Sequence, residues 1–216
     1  MPVLSYIVTA LVAYLLGSIP TGFLVAKARG VDIRTVGSGN IGATNAFRVL
    51  GKGFGIFVLL MDALKGWIAV QLGALAVAKL LPGVPLEYLR ITAGIAAILG
   101  HNFTCWLHFK GGKGIATSAG VLIALVPWAL LIILAIFIIL FLATRYVSVG
   151  SIAAAFALPF ATWFTQRDQH GQHDIGLTAV MAAIGALAIL KHRRNIQRLL
   201  NGTENRIQFK KKEATP

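Results

Sequence analysis

The sequence predicts an all-α fold, a bundle of about seven helices crossing a membrane, and three observations carry that expectation. Of 216 residues, 57% are apolar and only 12% charged, where a soluble domain carries about a quarter of its residues as charges. The mean hydropathy is +0.78. The apolar residues come in runs long enough to span a bilayer, with the charges gathered between them. These figures exclude a disordered chain, a disulfide scaffold and a large domain outside the membrane. One domain, 1–216, is expected. Cys105 is the single cysteine, so no intrachain disulfide can form, and it reads as a buried packing residue.

Taken in order, residues 1–26 hold no charge, basic leader or small-residue cleavage site, and read as a retained first span. Runs at 53–78, interrupted by Asp62 and Lys65, and at 91–107, 114–144, 146–166 and 175–190 follow. The 31 residues of 114–144 are too many for one crossing, and Pro127 stands where a helix breaks. Splitting there gives seven segments. The piece 114–126 is then only about 20 Å long at 1.5 Å per residue, short of a hydrocarbon core of roughly 30 Å. Merging later segments gives five spans, so the count is five to seven.

Net charge is +13. In a soluble protein that excess would suggest nucleic acid; here it lies in short segments beside apolar runs, where it sets orientation and meets phosphate or anionic lipid. With the N-terminus outside and the C-terminus cytoplasmic, sixteen of the 20 Lys and Arg fall inside, three outside (Lys79, Arg90, Arg167), and Lys65 in a span. Lys210, Lys211 and Lys212 in the tail read as part of the same signal. Three polar segments, 37–48, 100–117 and 191–204, then emerge on the cytoplasmic face, where they can converge on one site.

The first runs Gly37-Ser38-Gly39-Asn40-Ile41-Gly42-Ala43-Thr44-Asn45-Ala46-Phe47-Arg48. Alternating glycines let backbone N–H groups face an anion, Ser, Asn and Thr add neutral donors, and Arg48 adds a charged fork. A polar turn held by Asn and Ser would look much the same. The second runs Gly100-His101-Asn102-Phe103, then Phe109-Lys110-Gly111-Gly112-Lys113-Gly114-Ile115-Ala116-Thr117 into a helix. Glycines and lysine opening a helix favour an anion, although the spacing is not that of a nucleotide-binding P-loop, and lipid headgroups are an alternative ligand. In the third, Lys191, Arg194, Asn195 and Arg198 share a helix face, as do His192 and Asn195. A basic flank would need neither Asn195 nor Glu204. Asp62 and Lys65, three apart within a span, can pair. His170 and His173 with Asp168 and Asp174 could be drawn as a metal site, but nothing restricts that polar loop, and no metal is expected.

The ordered set resembles the bacterial acyl-phosphate-dependent glycerol-3-phosphate acyltransferases, the PlsY family. The three segments carry the likeness, with Asp62-Ala-Leu-Lys65-Gly66 and Tyr146-Val-Ser148-Val-Gly150 in support, so that it covers almost the whole chain. Ile41 and Thr104 depart from it, standing where such proteins often have proline. The resemblance implies a helical fold in the bacterial inner membrane with its motifs on the cytoplasmic side. It implies transfer of a fatty acyl group from acyl phosphate to the 1-hydroxyl of glycerol 3-phosphate, giving 1-acylglycerol 3-phosphate and orthophosphate. No cofactor is implied, nor a nucleic-acid partner; a monomer is, with handover from the enzyme that makes acyl phosphate. Catalytic roles are implied for Ser38, Arg48, Lys113, His192, Asn195 and Glu204. Substrate contacts are implied from Gly39, Asn40, Gly42, Thr44, Asn45, His101, Lys110, Gly111, Gly112, Gly114, Thr117 and Arg198.

The residues suit that chemistry in their own right. Acyl phosphate is a mixed anhydride whose phosphate leaves readily, so cationic and N–H donors around two phosphates and an oxyanion suffice. No Ser-His-Asp or Cys-His set is visible, and no His is followed at the fifth position by Asp, as in thioester-dependent acyltransferases. Direct transfer without an acyl-enzyme is therefore expected, the proton passing to the substrate's own phosphate or to His192. A transporter of organic phosphates, using Asp62, Lys65 and the break at Pro127, and a lipid-binding scaffold are the rival readings.

Overall fold

The computed structural model describes residues 2–167 and 170–207. Eleven α-helices are present among them. The chain divides after Leu130 into two compact units; Asp168 and Lys210–Lys212 lie outside the described residues.

The first unit begins with α1 (Pro2–Ser18) and α2 (Thr21–Ala28), separated at Ile19 and Pro20, where proline removes a donor and crowds the preceding turn. The expected first span is thus broken near its end. After α3 (Ala43–Leu50), α4 (Lys52–Ile68) runs through one π turn, Ala69–Gly73, into α5 (Ala74–Leu80). Next come α6 (Leu86–Asn102), one 3₁₀ turn at Cys105–Leu107, and α7 (Ile115–Leu125). The run 114–144 splits where expected, because α8 (Pro127–Thr144) starts on the proline itself. In the second unit α9 (Val147–Thr165) packs along α10 (Ile175–Lys191), which α11 (Arg193–Leu200) follows.

Close helix contact in the first unit depends on glycine. A Cβ on Gly17 of α1 would overlap the carbonyl of Ala97 on α6, and one on Gly120 of α7 would overlap the carbonyl of Ala63 on α4. With those faces bare, backbones pack along each other directly, as small residues allow between helices in lipid. Large apolar residues point outward instead: Trp128, Leu131, Ile139 and Leu142 of α8 are all more than half exposed, as a lipid-facing helix requires.

Four stretches are long and apolar enough to cross a bilayer: Pro2–Ala28, Lys52–Leu80, Pro127–Thr144 and Val147–Thr165. The pair Ile175–Lys191 and Arg193–Leu200, bent by 54°, makes a fifth if the two helices form one broken span. α6, with 17 residues, and α7, with 11, are shorter than these, so length and composition alone mark four crossings among the described residues, or five with the bent pair.

Candidate active site

The first polar segment forms the loop between α2 and α3. Asn45, buried on α3, organises it from beneath: its Oδ1 accepts the Ser38 N–H at 2.8 Å, and its Nδ2 donates to the carbonyls of Ile33 and Val36, each at 3.1 Å. Gly37 has φ +63°, and a Cβ there would overlap Asn45 Oδ1. Asn40 accepts the Gly42 N–H at 2.9 Å, an Asx turn that delivers Gly42 as the N-cap of α3. These amides hold the loop's shape. What the loop presents are Ser38, Gly39, Thr44 and, from the last turn of α3, Arg48, each at least partly accessible. Arg34 is committed locally, donating to Asp32 at 2.9 and 2.7 Å while lying 4.9 Å above the Phe23 ring. Hydrogen bonds from Arg34 hold the Asp32 carboxyl at about 2.

The second segment is a tight loop between α6 and α7. His108 and Phe109 have φ of 53° and 58°, left-handed values that cost a non-glycine residue about 1–2 kcal/mol each. Such strain persists only where surrounding bonds impose it. Here Phe109 N–H donates to Thr104 O at 2.9 Å, and Lys110 N–H to Leu107 O at 3.0 Å. The loop then folds back on the end of α6, with Gly111 N–H donating to Asn102 O at 3.3 Å and Gly112 N–H to His101 O at 3.1 Å.

Those bonds change which groups can meet an anion. Gly111 and Gly112 place the backbone against α6, since a Cβ on either would overlap His101. Their N–H groups are spent on that docking. The N–H groups that lack acceptors within a helix are those of the first turn of α7, which follows Lys113 and Gly114. His101 and Thr117 are buried and bonded to each other, Nδ1 to Oγ1 at 3.1 Å, so they support the loop from below. Lys110 is exposed. The two loops share one small apolar cluster in which Leu107 packs with Ile33, Ile41 and Ala46, so this unit brings the first two segments together.

The third segment lies in the second unit, and its helix is not continuous. α10 ends at Lys191, His192 forms the bend, and α11 carries the rest. Lys191 therefore does not share the face of Arg194, Asn195 and Arg198 that an unbroken helix would give. Glu204 gathers the cluster: it accepts from Ser148 Oγ at 2.9 Å, Asn195 Nδ2 at 2.6 Å and Arg198 Nε at 2.7 Å. Burial raises the Glu204 carboxyl, and bonds from Arg198, Asn195 and Ser148 outweigh it, leaving the group below its usual value. His192 is buried and donates from Nδ1 to Ala188 O at 2.8 Å, which leaves the lone pair on Nε2.

Cys105 is exposed, against the expectation of a packing residue; it opens the 3₁₀ turn of the strained loop rather than facing a helix. His173 stacks on Trp163 with ring centroids 4.1 Å apart. Asp62 and Lys65 pair as expected, at 2.7 Å. Sequence reasoning did not single out Ser148 as a partner of Glu204, because the two stand 56 residues apart.

The family model described as glycerol-3-phosphate acyltransferase matches residues 7–202. Among relatives carrying that name, one from Geotalea daltonii is 50% identical over 93% of this chain and 97% of its own length. Another, from Fusobacterium nucleatum, is 46% identical over 91% and 95%. A solved structure of PlsY, an integral membrane glycerol 3-phosphate acyltransferase in its glycerol 3-phosphate form, superposes with a TM-score of 0.82 at 39% identity, covering 94% of this chain and 96% of that one. Its lysophosphatidic acid form gives 0.80 at 38%. The chain belongs to the glycerol-3-phosphate acyltransferase family.

Proposed function

We propose that this member of the family acylates glycerol 3-phosphate, taking the acyl group from acyl phosphate and releasing 1-acylglycerol 3-phosphate and orthophosphate. The observation that carries the reading is the pair of loops in the first unit. Lys113 with the opening of α7, and Arg48 with the Ser38 loop, offer two sets of anion-binding donors held by one shared apolar cluster, and the reaction brings two phosphates together. Lys113, Gly111, Gly112 and Gly114 are assigned to the acyl-phosphate headgroup, the glycines by shaping the backbone. Ser38, Arg48 and Lys110 are assigned to glycerol 3-phosphate and the charge that develops on the carbonyl oxygen.

The step is direct. The 1-hydroxyl oxygen of glycerol 3-phosphate bonds to the acyl carbonyl carbon, the carbon–oxygen bond to phosphate breaks, and orthophosphate leaves with the bonding pair. The hydroxyl proton passes to a phosphate oxygen of the substrates. His192 is the protein alternative, its Nε2 lone pair set by the Nδ1–H bond to Ala188. Asn195, Arg198 and Glu204 order that part of the chain. The enzyme is proposed to sit in the bacterial inner membrane with five to seven helical segments, N-terminus outside, C-terminus and site cytoplasmic. It is proposed to work as a monomer receiving acyl phosphate from the enzyme that makes it.

The purified protein in detergent, given glycerol 3-phosphate with palmitoyl phosphate or palmitoyl-coenzyme A, tests the donor. Lysophosphatidate from the acyl phosphate alone, lost in Lys113→Ala, supports the reading. Turnover with the thioester overturns the donor assignment, and no product from either overturns the function.

A further inference from the structure

We infer that the buried pair Asp62–Lys65 fixes the positions of both phosphate loops, and that these two residues are positioning residues for the proposed reaction, a claim resting on that functional reading. The pair sits within α4, both side chains almost fully buried, with Lys65 Nζ 2.7 Å from Asp62 Oδ1. Each partner also reaches a different element that adjoins one of the loops.

Lys65 Nζ donates to the carbonyl of Ile19 at 2.7 Å. That carbonyl lies at the break between α1 and α2, where Pro20 interrupts the helical ladder. An ammonium there satisfies a helix-end carbonyl and sets where α2 departs. α2 in turn abuts the first loop, since a Cβ on Gly22 would overlap the carbonyl of Ile41. Asp62 Oδ1 lies 3.7 Å from His101 Nδ1, and the same nitrogen bonds Thr117 Oγ1 in the first turn of α7 at 3.1 Å. The far edge of that imidazole, Nε2, lies so close to Gly112 that a Cβ there would overlap it. One ion pair thus underlies the departure of α2 on one side and the glycine loop with its α7 donors on the other. A pair serving only α4 would need neither connection.

The test is kinetic. Asp62→Asn/Lys65→Met removes both charges together, because deleting either alone strands a buried charge. Misplacement by about 1 Å can cost a hundredfold in rate or binding. For the double variant with wild-type melting and elution, KM for palmitoyl phosphate and for glycerol 3-phosphate should each rise about tenfold or more, with kcat falling less. Thr117→Val, which keeps shape and loses the hydroxyl, should raise KM for palmitoyl phosphate alone, and Thr117→Ser should restore it. Wild-type KM values in the folded double variant overturn the inference. Should that variant fail to fold, an unchanged KM in Thr117→Val overturns it and a raised one restored by Ser supports it. If the wild type does not use palmitoyl phosphate, the functional reading fails separately. Calorimetric glycerol 3-phosphate binding then decides, an unchanged affinity in the double variant overturning the inference and a weakened one supporting it.

Discussion

Replacing Glu204 by alanine should cost the protein about 3 kcal/mol. The side chain is 5% exposed and accepts three bonds, from Ser148, Asn195 and Arg198. Ser148 and Asn195 are themselves buried, so truncation leaves two buried donors without their acceptor, at about 1–3 kcal/mol each. Arg198 is 32% exposed and can turn to water, so its share is small, about 0–1 kcal/mol. For a chain of this size about 3 kcal/mol lowers the melting temperature by roughly 6–12 °C. Glu204→Gln keeps acceptor and volume and should lose less than half as much. The carboxyl is held below its usual 4.5, so the unfolded chain takes up its proton first. Its contribution is therefore complete above about pH 4.5 and disappears as pH falls through the lower folded value, and Glu204→Gln should flatten that part of the profile. Thermal melting in detergent between pH 3.5 and 7 reads both effects. A Glu204→Ala melting temperature within 2 °C of wild type at pH 7 would show that Ser148 and Asn195 do not depend on this acceptor.

Further outcomes follow from the loops. Gly112→Ala must push the loop off His101, and should cut kcat/KM about ten- to hundredfold while melting falls little. Asn45→Asp replaces the donor facing the carbonyls of Ile33 and Val36 with an acceptor, so it should destabilise more than Asn45→Ala, while hydrogen exchange at Ser38 should speed up in Asn45→Ala, which alone removes the acceptor of that N–H. Cys105 is exposed and should label with a maleimide in folded protein, whereas failure to label without denaturant contradicts its placement.

Much of this was legible from local pattern. Pro127 marked the start of α8, the glycine–lysine run marked the opening of α7, and Asp62 and Lys65 announced their pairing by spacing. Direction was harder to read. Asn45 and Thr117 carry the same polar groups whether they face a ligand or, as here, the loop's own backbone and the His101 side chain, and only the fold turns them inward. The bend at His192 has no proline to signal it, so the helical period puts Lys191 on a face that the folded chain does not give it. Glu204 needed Ser148, a partner on α9 that no helical period brings within reach. Cys105 was judged by the habits of its residue type, and the strained loop around His108 overrode them.

Direct transfer requires that acyl phosphate be cleaved only by the incoming hydroxyl. Rapid mixing of enzyme at substrate-level concentration with palmitoyl phosphate, with and without glycerol 3-phosphate, tests it by following orthophosphate. Direct transfer gives no burst without glycerol 3-phosphate and one orthophosphate per lysophosphatidate with it. A burst stoichiometric with enzyme in the absence of acceptor, leaving palmitoyl attached to the protein, would contradict it.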